Sequence, residues 1–423
     1  MQSQTLKITL PNPHAKQRAF IESKAKRRVV RAGRRGGKTV GISILAETEF
    51  LAGRRVLYAA PTAEQIDRFW TEVCRAFRLP IEAGVFVKNE TKHIIELPGT
   101  EQRIRAKTAW NADSLRGDYA DVLILDEYQL MDETAWSEVG APMLLDNDGI
   151  AVFVYTPPSL HSRSASKARD PQHAAKLYKR AQLDTTGRWA TFHFSSHDNP
   201  HISATALTEL SGDMTQLAIR QEIEALDIDQ APGALWKREK IDESRVLKAP
   251  DLDRVVVAID PSATSGGDEA GIIGAGRTGD DYYTVADESI QGSPTTWATA
   301  AITLYHRLKA DCIIGEGNNG GEMIETVIKQ IDQTVNYKMV HASRGKATRA
   351  EPISAIHEKG KDHHVGVFPL LENELCLWQP GDNSPNRLDA KVWAMTELSR
   401  NIETDSSWTN EVGKVENYQS PWA

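Results

Sequence analysis

A continuous apolar run over residues 28–32 breaks at Gly33-Arg34-Arg35-Gly36-Gly37 and gives way, after Lys38-Thr39, to a helical pattern. Three glycines in five positions between a strand and a helix leave few folds open. Such a turn passes close to another group or takes backbone angles that a side chain forbids. Further apolar runs at 54–60, 122–126 and 151–155 are also continuous rather than alternating, as expected of parallel strands covered on both faces. Helical patterns such as 63–77 lie between them, so the first half of the chain is predicted to be an α/β layer fold.

Residues 32–39 approximate the pattern G-x-x-x-x-G-K-[ST], with Ala32 at the first glycine position. In that context Gly33, Gly36 and Gly37 let backbone N–H groups close on phosphates, Lys38 reaches the outer phosphate oxygens and Thr39 ligates magnesium. Arg34 and Arg35, inside the turn, either touch phosphate or face solvent. Downstream, Val122-Leu123-Ile124-Leu125 ends in Asp126-Glu127. An apolar strand tipped by two acids predicts a ligand of the magnesium shell, Asp126, and a residue polarising the attacking water, Glu127. Together these motifs predict hydrolysis of ATP with Mg2+. Thr156, at the end of the next apolar run, stands where a hydroxyl would sense the γ-phosphate. Arg116, in Ser114-Leu115-Arg116-Gly117 just before the acid-tipped strand, is a candidate arginine finger.

The second half opens with three runs joined by short Gly-rich connections, 254–260, 271–277 and 282–289, which predict antiparallel neighbours. A helix (295–309), a strand (311–316), a helix (321–331), a strand (338–342) and a last helix near 388–400 follow. Asp260 ends the first of these strands, Glu316 ends the fourth and Asp389 begins the last helix, the carboxylate layout of an RNase H-like nuclease. Two metal ions ~3.5–4 Å apart, serving the attacking and leaving oxygens, need acids that converge from distant parts of the chain. Hard oxygen ligands select Mg2+ or Mn2+. Asp268 is either a fourth acid near the metals or a turn acid. Residues 338–364 carry six Lys or Arg and four His against three acids, and read as the lining of a DNA groove. The pair His363-His364 lacks ligand spacing and reads as surface.

A chain of 423 residues is too long for one ordinary core and suits two domains. The reading assigns 1–235 to a nucleotide-binding domain that finishes in a small helical subdomain, about 190–235. The turn Gln230-Ala231-Pro232-Gly233 and the aperiodic polar stretch after it place a linker at 236–250, then a nuclease domain at 251–405 and a tail at 406–423. The net charge of −8 conceals local patches: residues 1–40 hold eleven Lys or Arg against Glu22, and 158–189 hold seven against Asp170 and Asp184. Such patches, not net charge, set where a polyanion docks. No apolar run approaches the ~20 residues of a membrane span, and the start lacks a signal-peptide pattern. Cys74, Cys312 and Cys376 are far apart, which points to a reducing compartment and away from a zinc ribbon.

An ATP-binding α/β domain followed by an RNase H-like nuclease resembles the large terminase subunits of tailed bacteriophages. The resemblance runs over nearly the whole chain. It rests on Pro13-His14-Ala15-Lys16-Gln17, the Arg-containing P-loop, Ser114-Leu115-Arg116-Gly117, Leu125-Asp126-Glu127, Tyr155-Thr156, Ala258-Ile259-Asp260-Pro261, Gly315-Glu316 and Leu388-Asp389-Ala390. It implies a RecA-like P-loop ATPase domain plus an RNase H-like nuclease domain that uses Mg2+ or Mn2+. It further implies a ring of subunits docked on the portal protein of an empty capsid, working with a small terminase subunit in the host cell cytoplasm. There the ring would pump double-stranded DNA inward and cut it. By the same resemblance Gln17 contacts adenine, Arg116 acts across subunits and Thr156 couples hydrolysis to movement. A helicase-nuclease or a restriction or repair motor is the rival enzyme reading, but a helicase needs a second RecA-like domain, which 250–400 does not suggest. A nucleotide-switched scaffold that only binds DNA is disfavoured by the intact acids.

Overall fold

The computed structural model describes residues 8–157, 166–261, 269–317, 321–341, 345–383 and 385–407. The chain forms two compact units, Met1–Ile228 and Asp229–Ala423.

The first unit runs α1 (Ala15–Ile21), β1 (Arg27–Ala32), α2 (Lys38–Leu51), β2 (Arg55–Ala60), α3 (Ala63–Ala76), α4 (Arg78–Glu82), β3 (Val87–Asn89), β4 (Ile94–Glu96) and β5 (Arg103–Thr108). It continues with β6 (Val122–Leu125), α5 (Ala141–Met143), β7 (Ile150–Tyr155), α6 (His173–Gln182), β8 (Trp189–Phe194), α7 (Ala204–Gly212) and α8 (Gln216–Ala218). Its sheet has the order β3-β4-β5-β2-β6-β7-β1-β8. From β5 to β8 all neighbours are parallel, and β3 and β4 add an antiparallel edge. The continuous apolar runs are explained by burial on both faces: Val30 packs with Phe20, Ile42 and Leu45, while Val29 packs with Leu57, Leu123 and Phe153 on the other side. The sequence reading passed over β5 and β8. Arg103, Arg105 and Lys107 alternate with Ile104 and Ala106, and three cations in six residues look like surface until Asp118 pairs with all three. β8 is part of the main sheet beside β1, so 190–235 is not wholly helical.

The second unit runs α9 (Arg238–Ser244), β9 (Arg254–Asp260), β10 (Gly271–Thr278), β11 (Asp281–Asp287), α10 (Pro294–Leu308), β12 (Cys312–Glu316) and α11 (Gly321–Ile331). It ends with β13 (Tyr337–Val340), α12 (Lys346–Glu358), β14 (Asp362–His364), α13 (Pro369–Leu377) and α14 (Asn386–Ser407). The sheet order is β13-β12-β9-β10-β11-β14. β9, β10 and β11 are antiparallel as expected, and β12 lies parallel to β9. The two-unit α/β architecture matches the sequence reading, with a P-loop layer fold first and an RNase H-like mixed sheet second. The stretch 236–250, read as a linker, is instead packed into the second unit. Trp236 is fully buried, Ile241 joins the core with Val256 and Ile273, and Arg238 and Arg245 pair with Glu372 at 3.1 and 2.6 Å. Its polar composition misled because the charges have buried partners far along the chain. Among the described residues no helix is long and apolar enough to cross a membrane.

Two local features generate tests. Glu47, on α2, is buried, and its Oε2 has no hydrogen-bond partner among the described residues. Burial, and then the charge of Glu72, push its carboxyl up to about 8. The unfolded chain therefore loses this proton first, and stability falls as pH rises from the ordinary carboxylate range toward 8. Glu47→Gln removes that slope. It should stabilise the protein by roughly 1–3 kcal/mol at pH 7, and denaturant melts should show the gain shrinking toward pH 5. Gly271 is paired with Asp260 in the β9–β10 register, and a Cβ there would overlap the Asn386 carbonyl and stand 2.8 Å from Arg387 N. Glycine is what lets the start of α14 approach the sheet. Gly271→Ala should cost at least about 1–3 kcal/mol, the range for overpacking, in a thermal melt.

Two candidate active sites

Parallel strands bring three motifs of the first unit together. β6, β7 and β1 are neighbours in that order, so Asp126, Thr156 and the loop 33–39 leave the same edge of the sheet. Gly37 has φ of 93°, and a Cβ on it would stand 2.6 Å from Gln17 Nε2. A Cβ on Gly33 would stand 2.5 Å from the Ile223 carbonyl. The loop is also held by hydrogen bonds. Gln17 Nε2 donates to the Gly37 carbonyl at 2.8 Å, Ser196 Oγ to the Arg34 carbonyl at 2.5 Å and Asn199 Nδ2 to the Arg35 carbonyl at 2.7 Å. Arg34 N–H donates to the Glu222 carbonyl at 2.6 Å, and its exposed guanidinium pairs with the Glu222 carboxylate at 2.8 Å. Arg35 sits at φ 58°, and a ring nitrogen of His14 lies 3.1 Å from the Gly36 carbonyl. The sequence reading missed Ser196, Asn199 and Glu222, which carry no motif and lie more than 150 residues downstream.

Lys38 opens α2 and its Nζ donates to Thr156 Oγ1, with Glu127 Oε1 3.7 Å away. Thr39 follows in the same first turn. Glu127 takes left-handed backbone angles, φ 50°, at the strand end, and Gln129 Nε2 donates to its Oε2 at 2.7 Å. Asp126 is buried; Tyr58 Oη donates to one of its oxygens at 2.9 Å and Glu127 N–H to the other at 3.0 Å. Burial, then the Glu127 charge, hold its carboxyl well above the usual range, and two acids here face the single cation Lys38, a set that suits a further cation. Tyr58 is a site residue that only the β2–β6 pairing reveals. Arg116 is exposed and paired with Asp113 and, at 3.8 Å, Glu138; among the described residues none of its ion pairs reaches the P-loop. Its loop is clamped to β5, where Asp118 receives Arg105 at 2.7 Å and Lys107 at 2.8 Å.

In the second unit β9 and β12 run in parallel register, Ile259 beside Gly315, so Asp260 and Glu316 end adjacent strands. α14 packs across β9 and β10 and brings buried Asp389 to the same place. The charges feel one another: burial, then Asp389, push the Asp260 carboxyl up to about 8, with Glu316 adding to the rise and Lys346 and Arg349 opposing it. Lys346 Nζ donates to Asp389 Oδ2 at 2.6 Å, Arg349 stands 3.7 Å from Glu316, and Trp393 Nε1 donates to Glu316 Oε2 at 3.2 Å. Among the described residues no group of three or more acids, His or Cys is arranged to hold a metal ion. The donor set of hard oxygens with unbalanced negative charge nevertheless fits divalent cations. Asp268 lies outside the described residues.

The opposite side of α14 is anchored by buried charge. Arg387 meets Asp287 at 3.1 Å, Glu374 at 3.3 Å and Glu269. One turn on, fully buried Lys391 donates to Thr284 Oγ1 at 3.0 Å, Asp362 Oδ1 at 2.9 Å and His364 Nε2 at 2.8 Å. His364 then donates from Nδ1 to Glu372 Oε1 at 3.1 Å. The surface reading of His363-His364 is thus overturned. His364 is buried on β14, and His363 Nδ1 donates to the Ser244 carbonyl at 2.8 Å. The partners that let His364 be buried come from distant elements, which spacing does not reveal.

Residues 257–397 match the family of the terminase RNase H-like domain. The large terminase subunit of Thermus virus P23-45 is 31% identical over 35% of this chain, and the match spans 34% of that protein's length. The large terminase ATPase domain of Thermus phage P74-26 is 25% identical over 51% of this chain and 94% of its own, with a TM-score of 0.43. The large terminase of bacteriophage HK97 is 12% identical over 91% of this chain and 94% of its own, with a TM-score of 0.46. The resemblance read from the motifs is therefore borne out: this chain carries a segment of the terminase RNase H-like domain family and is similar to large terminase subunits of bacteriophages.

Proposed function

We propose that this chain is the ATP-hydrolysing and DNA-cutting subunit of a viral genome-packaging motor. The supporting observation is that one chain holds two unrelated charge sites: Lys38 between Glu127 and Thr156 in the first unit, and Asp260, Glu316 and Asp389 in the second. ATP is the substrate of the first, with Gly33, Arg34, Arg35, Gly36 and Gly37 as its phosphate cradle. Lys38 neutralises phosphate oxygens, and Glu127, steadied by Gln129, orients the water. Thr39 and Asp126 hold the magnesium, and Asp260, Glu316 and Asp389 hold two Mg2+ or Mn2+. Bound divalent ions would supply charge neutralisation and an activated water. Thr156 touches Lys38 directly, so a change at the phosphates is felt at the end of β7, the coupling role proposed for it. Gln17, whose amide already holds the Gly37 carbonyl, reads as linking adenine recognition to loop position. The DNA is double-stranded and enters an empty capsid through a portal protein. A small terminase subunit and a ring of copies of this chain are the further partners.

Separate sites predict separable losses. Asp389→Asn should abolish plasmid cleavage in Mn2+ and leave ATP turnover near wild type. Glu127→Gln should bind ATP yet hydrolyse it at least ~100-fold more slowly. Loss of both activities in either folded variant would contradict the two-site reading.

Arg116 faces outward on a clamped loop, as a finger offered to a neighbouring subunit would. Such a finger is worth ~10³–10⁵ in rate. Arg116→Ala should therefore bind nucleotide normally and turn over slowly at every protein concentration. Mixing it with Lys38→Ala should restore part of the ATPase, since mixed assemblies pair a working P-loop with a working finger. A mixture that co-assembles and stays inactive would make Arg116 a residue of its own loop only.

A further inference from the structure

The carboxylates of the second unit are faced by two cations from a single turn of α12. Lys346 opens the helix and Arg349 follows three residues later, so both lie on one face. Cations in the first turn oppose the helix dipole, and that turn carries no acid to offset them. Their compensation is tertiary: Asp389 accepts from Lys346 at 2.6 Å, and Glu316 stands 3.7 Å from Arg349. The Arg349 guanidinium also lies over the Trp393 ring at 4.3 Å, and Trp393 itself donates to Glu316.

Arg349 is held but not satisfied. Its side chain is only 10% exposed, and its Nε and Nη1 have no hydrogen-bond acceptor among the described residues. A separation of 3.7 Å provides charge attraction without a hydrogen bond. A planar guanidinium fork with unused donors matches the oxygens of a phosphodiester, which it can engage with two bonds at once. A divalent ion held by Asp389 and Glu316 would need the carboxylates that these cations face.

We propose that Lys346 and Arg349 are tethered counter-cations that exchange the acids for a DNA phosphate, so that DNA and divalent metal bind this site with positive coupling. The inference rests on the nuclease reading of the site. Without DNA the two cations compete with metal for Asp389 and Glu316. A phosphate that takes them up releases the carboxylates, and by linkage bound metal raises the affinity for DNA by the same factor. Cutting is then confined to a site already filled with DNA.

The test uses the full chain without nucleotide. Free Mn2+ is followed by electron paramagnetic resonance, with and without a short duplex, and duplex binding is followed by fluorescence anisotropy in EDTA. In the wild type the duplex should tighten Mn2+ binding by about 5- to 150-fold, the usual span of such couplings. Lys346→Gln/Arg349→Gln should bind Mn2+ at least ~5-fold more tightly without DNA, bind duplex more weakly in EDTA, and lose the coupling. Arg349→Lys keeps the charge but not the fork, so it should leave Mn2+ affinity within about 2-fold and still weaken duplex binding. If the wild type binds Mn2+ at a site abolished by Asp389→Asn, yet the double variant binds it no more tightly, the counter-cation role is wrong and the nuclease reading stands. If Asp389→Asn leaves Mn2+ binding and cleavage unchanged, both are wrong.

Discussion

Parallel strands deliver their carboxyl ends to the same edge of a sheet, and both sites grow from that constraint. In the first unit β6, β7 and β1 lie side by side, so an acid pair, a hydroxyl and a lysine that are far apart in sequence converge. In the second unit the β9–β12 register sets Asp260 beside Glu316, and only the third acid has to come from a helix. Gly271 makes that last approach possible, because the start of α14 crosses β10 where a side chain would stand. Each site would come apart if one strand moved by a single place in its sheet.

Bringing like charges together creates a second problem, which the two units solve in the same way. Burial and the Glu127 charge raise the cost of ionising Asp126, and Lys38 stands against Glu127. Burial, Asp389 and Glu316 do the same to Asp260, while Lys346 stands against Asp389 and Arg349 against Glu316. α14 itself is fixed from its other side by buried Arg387 and Lys391, whose acceptors come from β11, β14 and α13. Removing one partner of such a buried pair leaves an uncompensated charge, which is more damaging than losing an exposed one. The anchoring of α14 is thus electrostatic as well as apolar.

Both candidate sites could be proposed from the sequence because their signals are local. A glycine-rich turn before Lys38-Thr39 and an apolar run tipped by Asp126-Glu127 need only a few neighbouring residues to be recognised. Continuous apolar runs likewise announced a sheet covered on both faces, as Val29 and Val30, buried in opposite cores, illustrate. Polar segments were harder. Residues 236–250 resemble a linker and His363-His364 resemble surface, yet Trp236 and His364 are buried among partners that come from distant elements.

The sequence by itself pointed to the two-part α/β architecture and to the candidate reactive groups, since each follows from spacing along a few turns or one strand. Only the tertiary structure decided who answers those groups: Tyr58 for Asp126, Ser196 and Asn199 for the P-loop backbone, Lys346 for Asp389 and Lys391 for Asp362. The physical reason is that most buried polar atoms need a partner at hydrogen-bond distance. That partner is set by strand order and helix docking, neither of which leaves a periodic trace in the chain.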